Sequence, residues 1–231
     1  EDPPDGSCGG SVVSQPECVL QAALECINDY SQYWPKCSPN QTKGITGPSG
    51  YEFGHYCSQA WVASLNQLLS DPVVDKCGDH EAIHKFLAQV AWETGYYSTV
   101  HQPADGGAGL IHMISANWRA NAEDMDALWP GNDYASLVES MGKDFFQTPA
   151  FGWHSVAAWF KRTNGVIGGC GTDLFDESYE RQTQCILSYV VDRQETYDVV
   201  GQCLASHPAP VPSASPSPAT SLALEATTEA P

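Results

Sequence analysis

The chain has 231 residues, of which 28 are acidic and 10 are basic, giving a formal net charge of −18. A negative field of this size repels the phosphates of nucleic acids and of anionic bilayers, so we expect neither as a main partner. No run of about eighteen apolar residues occurs, and the sequence therefore predicts no membrane-spanning helix.

Nine cysteines are present, and none stands in a Cys-x-x-Cys zinc pattern. Such cysteines indicate disulfides formed in an oxidising compartment, with one thiol left over from the odd count. The chain begins with Glu1 rather than with a Met and an apolar leader, and Asn40-Gln41-Thr42 is an N-glycosylation sequon. Together these features predict a secreted glycoprotein whose leader has been removed.

Residues 1–40 form a cysteine-rich segment, and residues 41–55 read as a connecting loop rich in Gly, Pro, Ser and Thr. Two interpretations of the first segment stay open. Apolar residues at helical spacing between 19 and 27 favour a disulfide-pinned helical hairpin packed on the main domain. The motif Cys8-Gly9-Gly10 and the aromatic stretch 28–34 instead resemble the small fungal cellulose-binding module. In both cases we expect the four cysteines of the segment to pair locally: Cys8, Cys18, Cys26 and Cys37.

Residues 56–204 have the periodicity of a mainly helical domain. Besides the helix that carries the candidate site, this domain is predicted to contain helical segments over 56–70, 134–146, 151–160 and 176–197. From Ala205 onwards Pro, Ser, Ala and Thr dominate, so residues 205–231 are predicted to be a disordered tail.

A helix predicted to end at Glu93 carries the first candidate catalytic residue. Asp79 stands in the N-cap position, and Gly95 follows the last turn as a helix breaker. Because Glu93 comes three residues after Val90, it lies on or beside the face meant for the core. A poorly solvated carboxyl holds its proton more readily, which suits it to act as an acid. The structural alternative is a glutamate at a helix end that pairs with a lysine or an arginine.

Asp105 follows soon after, directly before Gly106-Gly107-Ala108-Gly109. Cleavage of a glycosidic bond needs two carboxyl groups on opposite sides of that bond. Glycines let the backbone bend sharply and approach a sugar closely. We therefore predict Glu93 as general acid and Asp105 as base or electrostatic partner. Asp105 would lie in a small β-hairpin near 105–114, beside the active-site cleft.

The sequence around the two acids resembles two glycosidase families. Residues 86–95, Phe-Leu-Ala-Gln-Val-Ala-Trp-Glu-Thr-Gly, look like the catalytic helix of family-19 chitinases. Asp105 and the Gly-Ala-Gly-Leu-Ile-His-Met run at 107–113 are similar to the acidic residue and glycine-rich strand of goose-type lysozymes. Farther on, 164–171 and Cys203 are similar to the chitinase "I-N-G-G" region and terminal disulfide. The resemblance covers roughly 80–203 and implies the lysozyme-like superfamily, a mainly α (α+β) fold with a helical core.

Three departures from these families bear on the substrate. His112 stands where both families have Gln, Asn164 is displaced from the glycine pair, and the chitinase loop with a second Glu is absent. The last departure favours Asp105 as the partner acid. We predict an endo-acting hydrolase of β-1,4 linkages in N-acetylhexosamine cell-wall polysaccharide, with peptidoglycan favoured. A family-19 type chitinase and a non-catalytic carbohydrate-binding protein are the alternatives.

Aromatic and polar residues near the two acids are the candidates for substrate binding. Tyr96 and Tyr97 are predicted to line the cleft, because aromatic faces stack on sugar rings. His101 and His112 flank the second acid and could hydrogen-bond the substrate, although a core position for His112 is the alternative. Asn164 is added by the resemblance to the chitinases.

The stretch His80-Glu81-Ala82-Ile83-His84 matches the His-Glu-x-x-His helix of zinc proteases. The match lacks a third ligand and an apolar lead-in, so a solvated helix start is the favoured interpretation and a zinc hydrolase the third hypothesis. We therefore predict no metal, no cofactor and a monomeric chain with a polysaccharide substrate.

Overall fold

The computed structural model describes residues 16–32, 36, 45–46, 52–53, 56–102, 106–161, 173–186 and 193–210, with the backbone alone for 45–46, 52–53 and 99–102. Helices dominate, which confirms the prediction of a mainly helical protein. They are α1 (Gln21–Asp29), α2 (Gln59–Leu69), α3 (His80–Glu93), α4 (Ser115–Leu128), α5 (Tyr134–Met141), α6 (Lys143–Phe146), α7 (Pro149–Lys161), α8 (Tyr179–Ile186) and α9 (Gln194–Ser206), with a 3-10 turn at Leu174–Asp176. In the described part of the chain no helix is long and apolar enough to cross a membrane.

Among the described residues, four short strands pair antiparallel in the order β1-β2-β3-β4. They are β1 (Ile45–Thr46), β2 (Glu52–Phe53), β3 (Thr99–Gln102) and β4 (Gly107–Ala108). The hairpin expected near 105–114 begins earlier than predicted: β3 and β4 form it, since His101 pairs with Ala108 and Gln102 with Gly107. A further bridge joins Ala108 to Met113.

Helix α3 begins and ends where the sequence predicts. The Asp79 side chain accepts a hydrogen bond from the Ala82 N–H at 3.0 Å, and this cap satisfies one of the free donors of the first turn. The helix ends at Glu93, with Gly95 two residues later at a φ of +57°. Both ends are thus set by local side-chain chemistry, which a single sequence carries.

The core is an aromatic cluster centred on Phe86 of α3. Its ring lies 5.0 Å from the rings of both Phe160 and Phe175 and 5.9 Å from that of Trp153. Trp153 in turn packs against Trp61 of α2, and all five side chains are buried. These contacts fix α3 between its neighbours, so the end of α3 is held by a packed interior.

The N-terminal segment is helical and docks on the main domain. Helix α1 packs against α9, and the side chain of Asn66 on α2 exchanges two hydrogen bonds with the backbone of Val19, at 2.8 and 3.0 Å. This arrangement supports the interpretation of a helical segment packed on the domain. A module built only of strands does not fit the described residues of α1.

The expectation that the N-terminal cysteines pair locally is wrong. Cys18 bonds to Cys77 and Cys26 bonds to Cys203, with sequence separations of 59 and 177 residues. Helix α1 turns its cysteine toward α9, and spacing along the chain does not determine such connectivity. Both bonds tie the first segment to the domain that follows it.

The predicted helix over 176–197 is also wrong in extent. Two separate helices occupy the region: α8 stops at Ile186 and α9 starts at Gln194. Helix α9 then continues to Ser206, two residues beyond the boundary predicted for the tail. Most of the predicted tail, residues 211–231, lies outside the described residues, as do Asn40 and the other N-terminal cysteines, Cys8 and Cys37.

Candidate functional site

Glu93 is the last residue of α3, and a tight turn follows it. The Thr94 hydroxyl donates to the Val90 carbonyl and accepts from the Tyr97 N–H. The chain reverses through three consecutive residues with positive φ, namely Gly95, Tyr96 and Tyr97. Left-handed tyrosines are strained, and such strain persists only where the surroundings determine the conformation. The turn leaves the Glu93 side chain 17 % exposed at the helix end.

Arg193, immediately before α9, holds this carboxylate. Its Nη2 lies 2.5 Å from Glu93 Oε1, and its Nη1 donates to Gln89 Oε1 at 2.6 Å. The Arg193 side chain is almost completely buried. Gln89 also donates to the Thr183 hydroxyl of α8 at 2.9 Å. One guanidinium therefore joins two residues of α3, one turn apart, to the start of α9.

The two carboxylate oxygens of Glu93 differ in their contacts. Oε1 accepts the hydrogen bond from Arg193, whereas Oε2 accepts none within the described part of the chain. The ion pair agrees with the structural alternative for Glu93. It also has the geometry of a working carboxylate, because one oxygen is fixed and the other is left for a second partner.

Asp105 lies outside the described residues, so its separation from Glu93 stays a prediction. The sequence position of Asp105 nevertheless shows which strands it connects. Strand β3 begins shortly after the turn that follows Glu93, and Asp105 falls in the short connection between β3 and β4. Gly106 and Gly109 on the far side have φ of +73° and +78°. A Cβ on Gly109 would lie 2.7 Å from the Phe146 Cβ, so close packing also requires this glycine.

The prediction that Tyr97 lines the cleft is wrong. Its side chain is fully buried, and its hydroxyl donates to the Leu87 carbonyl at 2.9 Å. Burial raises the pKa of Tyr97 well above its ordinary value. The positive φ of the turn directs this ring into the core, where no polysaccharide can reach it.

The other predicted substrate-binding residues fall into two groups. Tyr96 and His112 are half-buried; the Tyr96 hydroxyl lies 3.3 Å from the Thr196 hydroxyl, and His112 has a φ of +44°. For His101 the backbone alone is described, in β3, and Asn164 lies outside the described residues. Their roles stay predictions.

Sequence reasoning missed Arg193 and Gln89. Gln89 carried a usable signal, since it is a polar residue one turn before Glu93 on a face otherwise meant for the core. Arg193 carried no such signal, because its contact with Glu93 joins residues that are 100 positions apart.

The His-Glu-x-x-His stretch forms the first turns of α3. His80 is exposed, whereas His84 packs on α9: its ring stacks on that of Tyr197 at 3.8 Å, and its Nε2 donates to the Tyr197 carbonyl at 2.7 Å. Across the described residues no cluster of three metal-binding side chains occurs. His84 thus serves helix packing in this structure.

Comparison with protein-family models, with curated proteins and with solved structures finds no match. The resemblance to the two glycosidase families therefore rests only on the sequence motifs around Glu93 and Asp105.

Proposed function

We propose that the protein is a secreted, endo-acting glycoside hydrolase of lysozyme-like fold. It would cleave β-1,4 linkages in N-acetylhexosamine cell-wall polysaccharide, with Glu93 as the general acid and Asp105 as base or electrostatic partner. The mainly helical fold with a hairpin directly after α3 supports the lysozyme-like arrangement. The two long-range disulfides support an oxidising, extracellular location.

The observation that carries the proposal is the asymmetric setting of Glu93. Arg193 fixes Oε1, while Oε2 is unengaged by the described residues and the side chain is partly exposed. An acid must present one oxygen to the leaving group in a defined orientation, and a fixed carboxylate avoids the entropy cost of finding it. In this scheme Oε2, rather than Oε1, is the oxygen that faces the glycosidic bond.

The second carboxyl determines the stereochemical course. Asp105 would either activate a water molecule or stabilise the positive charge that develops on the sugar. A separation of about 6.5–9.5 Å between the two carboxyl groups leaves room for water and predicts inversion, whereas about 5–5.5 Å predicts retention.

Two considerations bear on the polymer. The resemblance to goose-type lysozymes at Asp105 favours peptidoglycan, and we take this as the first substrate. The net charge of −18 gives no attraction to anionic walls and favours chitin. Chitinase activity is therefore the alternative within the same proposal.

A non-catalytic carbohydrate-binding protein is the second candidate function. The Glu93–Arg193 ion pair favours it, because a buried arginine needs a counter-charge whether or not chemistry occurs. Polymer binding without sugar release would select this candidate.

The test is a Glu93→Gln variant assayed by clearing of bacterial cell walls and by release of reducing ends from chitin. Glutamine keeps an acceptor for Arg193 but carries no acidic proton, so the protein should stay folded while turnover falls by about 10²–10⁴-fold. Undiminished turnover in the folded variant would remove Glu93 as the acid.

The matched control is Glu81→Gln, which changes a glutamate at the exposed start of the same helix. It should leave turnover unchanged. Loss in Glu81→Gln together with sensitivity to a chelator would select the zinc hydrolase instead.

A further inference from the structure

Trp92 differs from the other described tryptophans in its exposure. Trp61 and Trp153 are fully buried, Trp129 is nearly so, and Trp118 and Trp159 are half-buried, whereas 40 % of Trp92 is open to solvent. Exposed apolar side chains are common on soluble proteins, so exposure by itself indicates nothing. The position of the ring is what distinguishes this residue.

The Trp92 ring shares its support with Glu93. The guanidinium carbon of Arg193 lies 5.2 Å from the Trp92 ring centroid, and the same guanidinium binds the Glu93 carboxylate. Ring and carboxylate are therefore close in space as well as adjacent in sequence. Because Arg193 is buried and also bound to Gln89, it forms a rigid support for both.

A supported, half-exposed indole beside a carboxylate fits a sugar ring. Arg193 lies over the Trp92 ring, and the 40 % exposure of this residue leaves surface for contact with the C–H face of a pyranose. A ring already held in place loses little freedom on binding, which improves affinity. Stacking also needs no positive charge on the protein, and this suits a chain with a net charge of −18.

We propose that Trp92 is the stacking surface for a sugar unit of the β-1,4-linked N-acetylhexosamine chain at this site. The proposal rests on the proposed function and adds to it the residue that determines polymer affinity. It places the aromatic contact one position before Glu93, whereas Tyr97, after Glu93, is buried.

The test measures binding of the hexamer of N-acetylglucosamine and of soluble peptidoglycan fragments. All variants carry Glu93→Gln so that the ligand is not consumed, and titration calorimetry gives Kd. Relative to this background, Trp92→Ala should raise Kd at least about tenfold, and Trp92→Met likewise, since neither offers a planar face. Trp92→Phe keeps a ring and should stay within about threefold.

Leu128→Ala is the matched control, since it removes a half-buried apolar side chain at the end of α4, outside both α3 and the predicted hairpin at 105–114. Its Kd should equal that of the Glu93→Gln background. Thermal unfolding of each variant identifies any loss of fold. A shift of tryptophan emission to shorter wavelength on binding should occur in the background and be absent in Trp92→Phe, a signature that a merely structural Trp92 would not produce.

The outcomes separate the two proposals. Glycan binding that Trp92→Met leaves unchanged overturns the role of Trp92, and turnover by the wild type would then still support the hydrolase. Absence of both turnover in the wild type and binding in the Glu93→Gln background overturns both.

Discussion

Both ends of α3 contact α9 or the residue before it, but the polar side chains at the two ends differ in how many of their polar atoms are bonded. At the start, His84 is stacked on Tyr197 and bonded to its carbonyl. At the end, Glu93 has one oxygen bound to Arg193 and the other unengaged by the described residues. The first end carries a five-residue match to a zinc motif, and the second lies in the stretch that resembles the chitinase catalytic helix. The comparison teaches that chemical capacity depends on which atoms the fold leaves available, and a motif does not record this.

Arg193→Met should give the largest change in stability. The change removes the counter-charge of Glu93 and the hydrogen bond that Arg193 donates to Gln89. Loss of one partner of a buried ion pair costs about 3–5 kcal/mol. Urea denaturation of the variant and the wild type measures the difference. Adding Glu93→Gln should recover part of the loss, because no uncompensated carboxylate then remains. Additive effects of the two changes would mean that the pair is not coupled.

Gly201→Ala tests the contact between α9 and the N-terminal end of α3. A Cβ at this position of α9 would lie 2.7 Å from the His84 ring. That ring cannot easily move, because it stacks on the Tyr197 ring and is bonded to the Tyr197 carbonyl. Overpacking of this kind costs about 1–3 kcal/mol. Thermal unfolding should show the loss, and glycan turnover per folded molecule should be unchanged. Lowered turnover would show that the two ends of α3 are not independent.

His84→Gln changes the same contact and should have a smaller effect on stability. The variant loses the stacking on Tyr197 and strains the hydrogen bond to its carbonyl, which should cost about 1 kcal/mol. Turnover should persist, with and without a chelator. If a chelator lowers the turnover of the wild type but not that of this variant, the zinc hydrolase hypothesis would be supported.

The smallest effect on stability is expected from the ion pair between Lys76, just before α3, and Asp176. The hydrogen bond from Lys76, together with its charge, lowers the pKa of the Asp176 carboxyl, while desolvation opposes the shift. Because the folded pKa lies below the ordinary value of 3.8, the pair stabilises the protein at neutral pH and the gain is lost as the pH falls below that value. Asp176 is mostly exposed, so Asp176→Asn should cost less than about 1 kcal/mol at pH 7. Denaturation at pH 7 and at pH 3 should show the difference shrinking, and an equal difference at both would contradict this.

Local chemistry explains which predictions succeed. The cap at Asp79, the end at Glu93 and the buried stripe through Phe86 depend on residues within a turn or two of each other. The fold class follows from several such helices. The placement of Glu93 at the edge of the core could therefore be predicted from one sequence.

The predictions that failed all depend on distant contacts or on an unusual backbone. Cys26 pairs with Cys203, and Arg193 pairs with Glu93, because α9 returns to the first and third helices. Tyr97 is buried because two successive tyrosines adopt positive φ, a conformation that side chains of this type rarely take. Neither feature leaves a periodic trace along the chain.

The bond between Cys26 and Cys203 also sets the order in which the protein can be completed. During synthesis α1 emerges long before α9, so the Cys26 thiol must wait for the 177 residues that separate it from Cys203. Cys18 stands only eight residues away throughout that interval and offers a premature partner. Efficient disulfide pairing should therefore depend on a disulfide isomerase.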